Sequence, residues 1–192
     1  MAIMRFLLLL FILILPTVIQ AFEWQIVPNK SSIHFKAIQN HSPVTGEFKI
    51  FSGHINFDKN KLNESHVSIT IDISSVSTSF KVVSDTLKTT DWFDITAFPQ
   101  AHFTAKDFKQ VGNNRYEANG QLTIRDKTAP IVVYFTLEKY TDHDALISGS
   151  AQLKRTNFEV GKGEWASTKE IKDAVAVSFV ITATQKSGLE KK

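Results

Sequence analysis

His66-Val67-Ser68-Ile69-Thr70-Ile71-Asp72-Ile73-Ser74 decides the fold class. Val67, Ile69, Ile71 and Ile73 alternate with Ser68, Thr70, Asp72 and Ser74, which makes one face apolar and the other polar. Successive side chains leave a β-strand on opposite sides, so this period of two is a half-buried strand. The same rhythm recurs outward from it. Upstream, Ile33, Phe35 and Ala37 alternate with His34 and Lys36. Downstream come Leu122 and Ile124, then Ile131, Val133, Phe135 and Leu137, then Val175, Val177, Phe179 and Ile181. Val, Ile, Thr and Phe dominate these runs, as a pleated surface prefers.

Turn-forming residues separate the runs: Pro28-Asn29-Lys30-Ser31, Asp58-Lys59-Asn60-Lys61, Gly112-Asn113-Asn114 and Asp142-His143-Asp144. Gly112-Asn113-Asn114 predicts a hairpin between residues 101–108 and 115–125. Gly46 and Gly53 interrupt a strand-like stretch over residues 44–58, where glycine marks a bulge or a sharp bend. Two segments break the rhythm. In residues 79–94, Ser84 or Asp85 caps a short helix running to about Lys88, and Thr90 or Asp91 a second. Residues 157–173 read as a long loop with one helical turn, of a length that is commonly functional. Eight to ten antiparallel strands follow, as a sandwich or a barrel; the alternation alone does not choose.

The composition bounds the function. Cysteine is absent, which excludes disulfides, thiolate metal sites and a cysteine nucleophile. Net charge is only +3 with no basic cluster, so nucleic acid is not an expected partner. Phe, at 15 against 3 Trp and 3 Tyr, points to a large interior without polar tips. Residues 1–21 read as a cleaved signal peptide: Arg5, the ten apolar residues 6–15, Pro16, then Ile19-Gln20-Ala21. That run is shorter than the roughly 20 apolar residues a spanning helix needs. A periplasmic or secreted protein is expected, with one domain over residues 22–186 and a polar tail at 187–192.

Chemical motifs are scarce. The six histidines, His34, His41, His54, His66, His102 and His143, form no close ligand pair. His34, His66 and His102 fall on polar strand faces, and Asp142-His143-Asp144 is explained as a turn, so no metal site is assigned. Asp91 and Asp94 flank Trp92-Phe93 and read as caps or turn formers before an acid–base pair. No nucleotide or nucleophile-elbow motif occurs and no cofactor is expected, while a triad assembled from distant residues stays open. The aromatics are concentrated instead: Trp92, Phe93, Phe98, Phe103 and Phe108, and Phe48, Phe51 and Phe57 near the two glycines. They read either as a filled core or as the wall of an apolar tunnel.

Four blocks in register carry a resemblance: residues 87–108, LKTTDWFDITAFPQAHFTAKDF; residues 41–48, HSPVTGEF, with Phe51-Ser52-Gly53; residues 120–124, GQLTI, through Thr128-Ala129-Pro130-Ile131; and residues 154–161, KRTNFEVG. This resembles the YceI-like family of exported bacterial proteins. Arg125-Asp126-Lys127 departs from the family's usual His-Gly-Val, as do Glu159 and Trp92 from Gly and Phe. The resemblance implies an all-β, extended lipocalin-like antiparallel barrel of about eight strands with short helices in its connections. It implies a cavity for a polyisoprenoid or other long-chain amphiphile, transient membrane contact, a homodimer and no established enzymatic activity. The candidate ligand-binding residues are Phe35, Phe48, Ile50, Phe57, Ile69, Ile71, Leu87, Trp92, Phe93, Phe98, Phe103, Leu122, Ile124, Val133, Phe135 and Phe158. Arg155 and Arg125 are candidate cations for an anionic head group, with surface charge as the plainer reading.

Such a ligand needs no polar motif, because each buried CH₂ contributes roughly 0.8 kcal/mol. The segments 79–94 and 157–173 are the expected gate, since they depart from tight hairpins. Two other readings stay open: an enzyme acting on a lipid through Asp91, Asp94 or His41, and a secreted interaction or stress protein with a filled core.

Overall fold

A computed structural model of the chain describes residues 23–186. The signal-peptide reading of residues 1–21 and the tail reading of 187–192 lie outside the described residues. The strands are β1 (Glu23–Ile26), β2 (Ser32–Gln39), β3 (Ser42–Phe48), β4 (Phe51–Asn56), β5 (His66–Asp72), β6 (Val76–Thr78), β7 (Gln100–Gly112), β8 (Arg115–Ile124), β9 (Lys127–Tyr140), β10 (Asp144–Lys154) and β11 (Ala174–Gln185). One α-helix, α1, spans Lys81–Leu87.

These segments form a barrel, not a sandwich. β11 pairs with β2 along its first half and with β1 at its end, so β1 and β2 act as one interrupted strand. β3 with β4, and β5 with β6, do the same: β2 pairs with β3 and β1 with β4, then β3 pairs with β6 and β4 with β5. Three interrupted strands and five continuous ones make eight, antiparallel throughout and closed in chain order by β11. Closure pairs the edges that an open sheet would expose.

An up-and-down path sends its connections alternately to the two ends. The Asn40-His41 turn, residues 79–99, the Arg125-Asp126 turn and residues 155–173 share one end. Residues 57–65, the Asn113-Asn114 turn and residues 141–143 share the other. Asn40, His41, Asn114 and Arg125 all hold positive φ (47°, 69°, 55° and 57°), which tight hairpins require and which Asn tolerates better than most residues other than glycine. The predicted hairpin therefore turns at Asn113-Asn114, with Gly112 still in β7. The two long connections sit over the same mouth because an even number of strands separates them.

Several expectations are corrected. Residues 44–58 are two strands, broken at Lys49-Ile50. The break shifts the inward phase by one, from Val44 and Phe48 to Ile55 and Phe57. Gly46 and Gly53 do not make that corner; they lie within β3 and β4, against Phe35 and Ile69 of the neighbouring strands. Helix α1 begins at Lys81 after Phe80, without a side-chain cap. Ser84 lies within it and accepts instead from the Thr78 N–H at 2.9 Å. Residues 88–99 fold as turns with no second helix, because Thr89 O and Asp94 O collect the short-range bonds of Trp92, Asp94, Ala97 and Phe98. The 157–173 loop carries one whole 3₁₀ turn, Gly163–Trp165, and a second, Arg155–Phe158, begins just before it.

Candidate ligand-binding cavity

The inward rows of the barrel enclose a cavity of about 410 Å³, within the size range of ligand pockets. Its wall is built by the alternating rows read from sequence: Ile33, Phe35 and Ala37; Val67, Ile69 and Ile71; Ile131, Val133, Phe135 and Leu137; Val175, Val177, Phe179 and Ile181. Apart from Trp and Tyr tips, the polar side chains lining it are Gln39, Thr86 and Arg155.

Two features keep the middle open. Ala37, Ala101, Ala118, Ala145, Ala151 and Ala183 all face inward and are too short to meet across the barrel. Several large side chains also lie against the wall because glycine stands beside them. A Cβ at Gly46 would sit 2.6 Å from the Phe35 ring, at Gly120 2.5 Å from Phe103, and at Gly149 2.2 Å from Phe179. Each would also crowd a carbonyl oxygen of the next strand, of Ser77, Thr104 or Tyr134. Glycine inside a strand serves such close approach, with an aromatic covering the gap.

Phe57 plugs one end. Its ring packs on Phe108, Tyr116, Phe135 and Tyr140, with centroids 5.6 to 6.3 Å apart. Trp24 Nε1 and the Tyr140 hydroxyl both donate to the Phe57 carbonyl, at 2.9 and 3.1 Å. Burial, with the Asp58 charge nearby, pushes the Tyr140 phenol up to about 12, so it stays a donor at neutral pH. Burial raises the Tyr116 phenol as well.

The two long connections clasp over the other end. Gly161 and Lys162 N–H both donate to the Asp91 carbonyl, at 2.8 and 2.7 Å. The Trp92 and Trp165 rings lie 5.8 Å apart, and Phe93 meets Phe48 at 6.1 Å. The loop is also tied to β2: Asn40 N–H donates to Glu170 O and Lys172 N–H to Ile38 O. Helix α1 contributes Val82, Val83, Thr86 and Leu87 to the wall. Val82 is 71% exposed and lines the cavity at once, which locates the mouth.

Two arginines brace the connections, Arg155 within residues 155–173 and Arg125 from the β8–β9 turn onto residues 79–99. Arg155, 2% exposed, donates through Nη1 to the Val160 and Gly161 carbonyls and through Nη2 to those of Trp165, Ser167 and Ile171, all within 3.2 Å. Burial lowers its pKa, offset in part by Asp173. Gly161 fits beside it for two reasons: its φ is 81°, and a Cβ there would stand 2.5 Å from Arg155 Nη1. Arg125 donates to the Thr90 and Trp92 carbonyls at 2.8 and 2.5 Å, sits 3.8 Å from the Asp94 carboxylate and covers the Phe98 ring at 5.4 Å. Neither is the surface charge that the plainer reading supposed: both Nη atoms of Arg155 and Nη1 of Arg125 donate to backbone carbonyls, and Arg125 Nη2 faces the Asp94 carboxylate.

Of the candidate residues, Phe35, Phe48, Phe57, Ile69, Ile71, Leu87, Trp92, Phe93, Phe103, Leu122, Ile124, Val133, Phe135, Phe158 and Arg155 line this one cavity. Ile50 and Phe98 do not. Ile50 is 60% exposed at the β3–β4 break, where the phase change turns it outward. Phe98 is drawn under Arg125, away from the cavity. Sequence reasoning placed Ala37 inward but missed the other inward alanines, Val44 and Trp165; the alanines had a signal in their strand phase, whereas Trp165 stands in a segment without a period.

The residues weighed for chemistry are dispersed. His41 is exposed in the β2–β3 turn, His34 and His66 are exposed on strands, and His102 pairs with Thr70 Oγ1 at 3.2 Å. Asp94 faces Arg125, and Asp91 contributes its backbone carbonyl to the clasp. Among the described residues no three His, Asp or Glu side chains gather as metal ligands. No helix among them is long and apolar enough to cross a membrane.

Comparison with known proteins gives a consistent set of relatives. The model of the YceI-like domain family matches residues 24–183. The chain is 30% identical over 130 residues to UPF0312 protein plu2095 of Photorhabdus laumondii, covering 64% of this chain and 67% of that one. The crystal structure of Burkholderia cenocepacia BcnA superposes with a TM-score of 0.78 at 32% identity, over 83% of this chain and 99% of that one. A polyisoprenoid binding domain from Saccharophagus degradans shares the fold, with a TM-score of 0.67 at 14% identity, over 87% of this chain and all (100%) of that domain.

Proposed function

This chain belongs to the YceI-like family, and from that premise we propose that it is an exported carrier holding a polyisoprenoid or similar long-chain amphiphile in its barrel. The observation that carries the reading is a cavity of about 410 Å³ whose wall is almost wholly apolar along its length. An apolar chain gains roughly 0.8 kcal/mol for each CH₂ taken from water. One five-carbon isoprene unit then contributes about 3–4 kcal/mol before ordering costs offset part of it. Affinity follows from length and fit, and selectivity from the bore of the tunnel and the plug at Phe57. The shared fold of the Saccharophagus degradans polyisoprenoid binding domain supports this reading.

Export follows in this reading from residues 1–21. Phe80 and Val82, 70% and 71% exposed at the mouth, suit transient contact with the membrane that supplies the ligand. A homodimer is proposed from the family alone.

The test is what the protein carries. Native mass spectrometry of protein purified from its own cells should show an added mass, and an organic extract should contain a long-chain lipid. Bare polypeptide, a blank extract and no uptake of added polyprenol would together overturn the proposal.

A further inference from the structure

The two ends of the cavity treat their polar atoms differently. At the plugged end, Trp24 Nε1 and the Tyr140 hydroxyl both donate to the Phe57 carbonyl. At the clasped end, Trp92 is 9% exposed and lines the same cavity, yet its buried Nε1–H has no acceptor among the described residues. Arg155, also lining the cavity, repeats the pattern. Its Nη atoms are committed to five carbonyls, while its buried Nε–H has no partner among the described residues. Both side chains belong to one clasp, because Trp92 packs on the Trp165 ring and Arg155 binds the Trp165 carbonyl. Buried N–H groups are nearly always paired, and an exception calls for an explanation.

We propose that Trp92 Nε1, backed by Arg155 Nε, is a polar subsite for an oxygen acceptor on the ligand. This rests on the lipid-binding reading and narrows it. The cavity takes an oxygen-headed amphiphile, such as an alcohol, carbonyl, ether or phosphoester, and orients it with the head under the clasp and the tail toward Phe57. A pure hydrocarbon leaves both donors unmatched. A neutral and an anionic oxygen share this chemistry, and they differ in how strongly a buried guanidinium favours them.

The experiment uses the ¹⁵N-labelled mature protein and three probes: geranylgeraniol, its monophosphate, and the same hydrocarbon lacking the hydroxyl. The Trp92 indole resonance, identified by its loss in Trp92→Phe or by elimination with Trp165→Phe, should move downfield with both oxygenated probes and stay in place with the hydrocarbon. Trp24 should not respond. Trp92→Phe should weaken geranylgeraniol binding about 3- to 10-fold, one hydrogen bond's worth, and change hydrocarbon binding by less than about twofold. Tighter binding of the monophosphate than of the alcohol assigns an anionic head, and equal binding a neutral one; both support the subsite. Binding of all three probes with an unmoved Trp92 resonance overturns it, as does an equal shift from the hydrocarbon. Binding of none overturns the lipid reading itself and the subsite with it.

Discussion

Gly149 and Phe179 face each other in register across β10 and β11, and a methyl group on Gly149 would stand 2.2 Å from the Phe179 ring. Phe35 faces Gly46 in the same way, and Phe103 leans diagonally over Gly120, whose register partner is Ala105. Three rings that would otherwise project into the middle of the barrel lie along its side. The bore thus depends on residues that have no side chain to present to a ligand.

Gly149→Ala should therefore destabilise the protein by about 1–3 kcal/mol, the usual cost of overpacking a tight site. Adding Phe179→Leu to the same chain should recover part of that loss, because the clash is with the ring as well as with the Tyr134 carbonyl. Urea denaturation of the two single variants and the double variant measures the coupling. Strictly additive effects would show that the ring and the glycine do not share space.

Arg155→Met should cost about 2–4 kcal/mol, because it strips five carbonyls of their donor. Arg155→Lys should recover little of it, since a single ammonium cannot reproduce the planar fork. Hydrogen exchange separates this from a general loss of stability: the amides of residues 156–172 should lose protection first. Uniform loss over the barrel would contradict a role local to the clasp.

Phe57→Ala should destabilise by about 3–5 kcal/mol, as expected for a buried aromatic, and should also open the plugged end. In the proposed carrier it lengthens the chain that the cavity accepts. Binding of a polyprenol length series reads this directly: the wild type should reach a limiting length, and the variant should pass it.

The stability of the protein should fall in strong alkali. The folded-state value of Tyr140 is raised to about 12, above the roughly 10 of a free phenol. A raised value means that the neutral phenol's contribution is complete below about pH 10 and is lost as pH rises through about 12. Tyr116, raised by burial, acts in the same direction. Urea midpoints should stay level up to about pH 10 and then drop, less steeply in Tyr140→Phe. Equal slopes for the two proteins would exclude Tyr140 as a contributor.

Much of the cavity wall could be read from the chain because alternation reports which face is inward. Ile33, Ile69, Val133 and Val177 all fall where their strand phase puts them. The reading failed where phase stopped carrying information. Ile50 stands at a break that no residue type announces, and Phe98 in a segment without a period, where the Arg125 guanidinium covers its ring. Arg155 shows the same limit more strongly. An isolated arginine is mostly exposed by residue type, and only the folded 155–173 connection gathers five carbonyls around it.

The amino-acid order by itself determined an all-β chain of alternating strands with an apolar inner face, because side-chain direction along a strand is a local property of the backbone. Barrel closure and the hollow centre were decided by tertiary structure alone. Both depend on distances between residues far apart in the chain: β1 meeting β11, Phe179 resting on Gly149, and two long connections clasping at the Asp91 carbonyl over one mouth. A period of two states which side chains point inward. How far they reach toward one another is set by the curvature of the closed sheet.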